Sequence, residues 1–197
     1  MKTLCMMTLL VVCASIAGAQ EPWPYNDNNL GIYFDEGASR YCCGSPPGSF
    51  VDMYLILTSP TYATVGGWEA KVHFEGAGAV PISFVPRYQY INAATIPNEY
   101  IVGLGGPQPA VDGILVLMDI RLYVVDGMIP VYGYVGPTYY HSADEALPAY
   151  VNGADLNVIQ VMYPRTGGVD DWVVSINNGC VVDTESASFG TVKSLFR

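Results

Sequence analysis

The chain has 197 residues, with eight Lys and Arg against 18 Asp and Glu, and a formal charge of −10. That balance disfavours nucleic acid and anionic membrane surfaces as partners, since both demand a basic footprint. Only 13% of residues are charged while 51% are hydrophobic, the reverse of a disordered composition, so much of the polar surface falls to Tyr, Ser, Thr, Asn and backbone.

Residues 1–19 have the layout of a secretory signal peptide. Met1-Lys2 is a short basic start, Leu4 to Val12 is almost unbroken apolar sequence, and Ala17-Gly18-Ala19 is a small-x-small cleavage site before Gln20. Read instead as a membrane anchor, the run falls short of the roughly 20 residues a bilayer needs. Read as a lipoprotein signal, Cys13 should follow Gly or Ala, and Val12 is neither. The chain is therefore expected to begin at Gln20, beyond the reducing cytoplasm and with no transmembrane segment. Residues 20–182 suit one domain.

Taken in order, the remaining elements are strands. Leu30–Phe34 is a short opening strand ended by Asp35-Glu36-Gly37, and Val51–Thr58 stops at Ser59-Pro60. Trp68–Glu75 alternates cleanly: Trp68, Ala70, Val72 and Phe74 share one face, and Glu69, Lys71, His73 and Glu75 the other. Ile82–Val85 lies between Pro81 and Pro86, and Tyr100–Leu104 ends in Gly105-Gly106-Pro107. Ile114–Val125, apolar on both faces apart from Asp119 and Arg121, reads as a central strand with a bend or bulge. Asp126-Gly127 supplies a hairpin turn into Ile129–Val135. Val158–Tyr163 and Trp172–Asn177 complete about nine strands, with short helical turns allowed near Ser142–Leu147. No segment carries a sustained helical stripe, so a parallel α/β layout fails on packing grounds. The fold class expected is all-β, a two-sheet antiparallel sandwich. Residues 183–197 read as a polar tail ending in a short amphipathic turn, either docked or a sorting signal.

Three cysteines follow the leader: Cys42, Cys43 and Cys180. In an oxidising compartment one disulfide is expected. Sequence neighbours rarely bridge, so the pair is Cys43–Cys180 or Cys42–Cys180, stabilising by about 4–5 kcal/mol on the loop-entropy account. The third thiol is either buried and inert or free to join another molecule. Zinc is disfavoured, because no C-x-x-C occurs and both His lie far from the cysteines in sequence.

Catalytic chemistry is thinly supplied. His73 and His141 are the only imidazole bases, and no G-x-S-x-G elbow occurs. His73 falls on a solvated strand face. Tyr139-Tyr140-His141-Ser142-Ala143-Asp144 holds triad atom types too close together for triad geometry. Asp35-Glu36, Asp144-Glu145 and Asp170-Asp171 lie in turns, where carboxylates are ordinary solvated residues rather than a glycosidase pair. No cofactor is expected. A structural calcium could use Asn26-Asp27-Asn28-Asn29, Asp155 with Asn157, or Asp170-Asp171, although such clusters are foremost turn formers. Aromatics carry the binding hypothesis: Tyr132, Tyr134, Tyr139 and Tyr140 form a candidate platform, with Tyr132 and Tyr134 on one face of their strand. Trp68 and Trp172 read as core residues, and Trp23 as a pin for the Pro22-Trp23-Pro24 arm.

Two resemblances follow. Tyr54-Leu55-Ile56-Leu57-Thr58-Ser59-Pro60, Val65-Gly66-Gly67-Trp68-Glu69-Ala70-Lys71-Val72 and Gly113-Ile114-Leu115-Val116-Leu117-Met118-Asp119-Ile120 resemble the cohesin and carbohydrate-binding-module type of sandwich. That likeness covers about half the chain and implies a jelly-roll of nine strands used for protein or glycan binding. Asn29–Glu36, Tyr100–Gly103, Asn178-Gly179-Cys180 and Gly190–Arg197 are similar to a group of uncharacterised secreted bacterial proteins. This implies an exported bacterial domain and favours a bridge from the Cys42/Cys43 pair to Cys180. The function expected is a secreted, non-catalytic binding or adhesion module with a protein or glycan partner at the cell surface. The alternative is a structural component of an extracellular assembly; a hydrolase is third.

Overall fold

The computed structural model describes residues 27–179. The leader at 1–19, the Trp23 arm, Cys180 and the tail at 183–197 lie outside the described residues. Thirteen strands occur among those described: β1 (Asn29–Tyr33), β2 (Cys42–Cys43), β3 (Phe50–Thr58), β4 (Thr64–Glu75), β5 (Ala79–Pro86), β6 (Tyr90–Asn92), β7 (Glu99–Pro109), β8 (Ile114–Val124), β9 (Val131–Gly136), β10 (Ala149–Asn152), β11 (Ile159–Val161), β12 (Tyr163–Pro164) and β13 (Val174–Ile176).

Period-2 patterning builds two sheets. One has the order β12-β1-β3-β8-β5 and the other β11-β10-β4-β9-β13-β2, with β7 also on β4 and β6 on β7. Most pairs are antiparallel; β1–β12 and β2–β13 are parallel edge additions. Trp68, Ala70 and Val72 from the second sheet meet Met53, Leu55, Leu57, Leu115, Ile120 and Leu122 from the first in one core. The all-β sandwich expected from the sequence is the fold observed. Strand β8 is central, flanked by β3 and β5, and it bulges at mid-length. Leu55 faces Met118 and Ile56 faces Val116, leaving Leu117 as the extra residue.

Several expectations change. The run Val158–Tyr163 is not one strand: β11 adds to the second sheet, Met162 is fully buried, and β12 joins the first, so the chain crosses between layers there. Residues 142–147 form bends and turns with no helix, and Ala146 sits at φ 52°. Trp68 is a core residue at 3% exposure, but Trp172 is not. It is half-buried, precedes β13, and lies against Tyr132 on the outer side of its sheet.

A polar knot ties the layers where β1 begins. The hydroxyl of Tyr150, a fully buried residue of β10, donates to Asn28 Oδ1 at 2.8 Å and accepts the Tyr62 N–H at 3.3 Å. Asn28 Oδ1 also accepts the Thr61 N–H, and its amide donates to Thr61 Oγ1, both at 2.8 Å. Asn28, raised in the sequence as a possible calcium ligand, is thus spent on structure. Cys43 turns toward the core, where burial pushes its thiol up to about 11, and it is a free thiol.

Tyr150→Phe leaves the part-buried Tyr62 N–H without its acceptor and Asn28 Oδ1 with the Thr61 N–H alone, so urea unfolding should show a loss of about 1–2 kcal/mol. The raised thiol leaves roughly a hundredfold less thiolate at pH 8 than an ordinary cysteine. Iodoacetamide should therefore label Cys43 slowly in native protein and rapidly once urea unfolds it.

Candidate binding face

The outer face of the β4 sheet is organised by an interruption. Strand β9 pairs with β4 from Glu75↔Tyr132 to Lys71↔Gly136. Pairing on the same edge resumes with Glu69↔Ala149 and runs to Val65↔Asn152 in β10. β9 and β10 therefore act as one strand from which residues 137–148 are thrown out. Pro137 follows the last paired residue of β9 and Pro148 precedes the first of β10; neither has an N–H to donate to a ladder.

Two carboxylates receive this excursion. Alternation aims Glu69 and Glu99 to the outer face, yet they are only 5% and 7% exposed, because the loop covers them. Glu69 accepts the Ser142 N–H at 2.6 Å and its hydroxyl at 2.8 Å, and Glu99 accepts the Tyr139 N–H at 3.0 Å. His141 Nδ1 lies 3.2 Å from the Thr138 carbonyl oxygen. Pinned at Tyr139 and Ser142, the loop holds Tyr139 and Tyr140 70% and 71% exposed, edge to face at 4.8 Å between centroids.

The other two tyrosines of the sequence platform do share the outer face of β9, but their rings are engaged. Tyr134 stacks on His73 at 5.0 Å and 16°. Tyr132 leans on Trp172 at 5.9 Å and donates to Asn178 Oδ1 at 2.8 Å. Among the described residues, no ring contact joins this pair to Tyr139 and Tyr140.

Beside the loop, between β7 and β10, runs a groove of about 320 Å³. Gly67 and Gly103 form a floor without side chains. Ile101, Val151, Leu156 and Ile159 form the walls, and Glu69 with Ser142 closes one end. A side chain at Gly67 would meet the Val102 carbonyl oxygen at 2.7 Å, whereas one at Gly103 would project into open space.

The remaining candidates are occupied elsewhere. Burial, with Lys71 nearby, holds the His73 imidazole below its usual range, and its Nδ1 is buried without a protein partner. Ser142 donates to Glu69 rather than to His141, so the triad-like atoms of 139–144 serve the loop's own fold. Asp35 caps its turn through Ser39 and Arg40, and Glu36 pairs with Arg87, which also grips Asp119. Asp155 accepts the Asn157 N–H in a two-residue turn. Among the described residues, no group of three or more His, Cys, Asp or Glu comes together as a metal site, and no helix is long and apolar enough to cross a membrane. Sequence patterning assigned Glu69 to a solvated face and left Glu99 without a role. Nothing local to either residue reveals the loop that folds over them.

No protein-family model matches the chain, and no curated protein matches it in sequence. It is similar to solved cohesin structures. One is the sixth cohesin of scaffoldin B from Acetivibrio cellulolyticus, solved with a dockerin: 10% identity over 77% of this chain and 98% of that one, at a TM-score of 0.44. Another is the cohesin module of a family 33 glycoside hydrolase from Clostridium perfringens: 13% identity over 61% of this chain and 86% of that one, at 0.35. A third is a Clostridium acetobutylicum structure solved in solution: 10% identity over 75% of this chain and 90% of that one, at 0.37. At such scores nothing about function rests on these likenesses; the sandwich is established by the strand pairing itself.

Proposed function

We propose that the protein is a non-catalytic binding module, exported to the cell surface or beyond, and that its partner is a protein engaged by the 137–148 loop. The observation that carries this reading is the pair Tyr139 and Tyr140, held outward on a loop whose backbone is fixed by two buried carboxylates. Rigid aromatic side chains presented with little ordering cost are the usual anchors of protein interfaces. A glycan platform is less well served, since a sugar ring needs an open aromatic face. Here Tyr139 and Tyr140 meet edge to face, while Tyr132 and Tyr134 are partly covered by Trp172 and His73.

Export is supported by the tripartite leader at 1–19. We infer a bridge between Cys42 and Cys180, for which the free thiol at Cys43 leaves Cys42 as the available partner. A half-buried, poorly ionised Cys43 is unsuited to covalent assembly, which sets the structural-component reading behind the binding one.

The test is an array of extracellular proteins and glycans from the producing cells, probed with wild type and with Tyr139→Ala/Tyr140→Ala. The expected result is a protein ligand whose affinity drops tenfold or more in the double variant, with circular dichroism unchanged. Glycan-only binding, or equal binding by both proteins, overturns the reading.

A further inference from the structure

We infer that the groove beside the loop receives a lysine or arginine side chain from an extended segment of the partner protein. This rests on the binding reading above and specifies the partner's chemistry.

Three observations converge on it. The first is shape. Gly67 and Gly103 leave the floor bare, so a chain can approach the β4–β7 backbone closely, and Ile101, Val151, Leu156 and Ile159 offer an apolar wall. Leu156 and Ile159 are 68% and 46% exposed there. The second is an uncompensated charge. Glu69 lines the groove and is 5% exposed; among the described residues it accepts hydrogen bonds from Ser142 alone, and no salt bridge reaches it or Glu99. Each Glu69 oxygen has one such bond and room for another. A buried carboxylate without a counter-ion is costly, and a cation arriving along the groove removes that cost.

The third is the distribution of charge. Of the cations among the described residues, Arg40, Arg87, Arg121 and Arg165 belong to the five-stranded sheet and its loops, and Lys71 alone to the β4 sheet. The same sheet and its loops carry Glu69, Glu75, Glu99, Asp144, Glu145 and Asp155. A face of that sign steers a basic partner and repels an acidic one. A Lys or Arg stem matches the groove, with methylenes on the aliphatic wall and the charged head at Glu69.

The probe is acetyl-Leu-Lys-Leu-amide, compared with acetyl-Leu-Gln-Leu-amide, titrated into the isotopically labelled protein by NMR. The lysine peptide should shift the Gly67, Gly103 and Ser142 amides and bind at least fivefold more tightly than the glutamine peptide. Glu69→Gln should equalise the two. Because Ser142 hangs on Glu69, Gly103→Leu serves as the second variant: it fills open space without backbone strain and should abolish binding of both peptides. Tyr139→Ala/Tyr140→Ala should bind the lysine peptide as wild type does, so failure at the tyrosine pair and failure at the groove are read separately. Equal affinities in wild type, no binding at millimolar peptide, or unaltered binding by Gly103→Leu would overturn the inference.

Discussion

Pairing along the free edge of β4 governs this molecule. A strand of twelve residues at the centre of a sheet needs partners for its N–H and C=O groups on both edges. β7 supplies one edge over residues 64–71, and the other is filled by β9 and β10 in succession. Because those two segments hold a common direction on either side of residues 137–148, the chain between them has nowhere to go except outward. Glu69 and Glu99 then convert that excess chain into a fixed surface. Their carboxylates accept backbone donors that the sheet cannot reach, and the loop in turn keeps water from them.

The two outer faces of the sandwich solve the same problem in different ways. On the five-stranded sheet, charges are neutralised internally: Arg121 grips Asp52 directly across β3 and β8, and Arg87 bridges Asp119 and Glu36. The Arg87 and Arg121 guanidiniums also lie over the Tyr54 and Phe50 rings. On the β4 sheet Glu69 and Glu99 meet hydrogen-bond donors from the loop, and Leu156 and Ile159 are left in water beside Glu69. The first face pairs its charges across its own strands. On the second, no ion pair among the described residues reaches Glu69 or Glu99, and exposed Leu156 and Ile159 lie beside Glu69, a combination that an interface uses.

Strand faces were legible because alternation is a local property. Trp68, Ala70 and Val72 are buried as their spacing requires, and β8, apolar on both faces in sequence, is a central strand of its sheet with its bulge at mid-length. Trp172 escaped that logic: alternation does not constrain a residue outside the ladder, and its ring turns to Tyr132 instead. The short pieces β2, β6, β10 and β12 had no pattern of their own to show. Each is a strand only because an edge was waiting for it. The platform of four tyrosines was legible as residues but not as geometry, since ring exposure depends on neighbours such as His73 that arrive from another strand.

By itself the sequence determined an acidic, poorly charged, all-β chain with period-2 faces, because those properties belong to each segment and survive any arrangement of them. Only the tertiary structure decided that β9 and β10 share one edge of β4, that the loop between them covers Glu69 and Glu99, and that Tyr139 and Tyr140 stand clear of the sheet. These depend on which distant strand supplies each hydrogen bond, and long-range pairing leaves no periodic mark on the residues that take part in it.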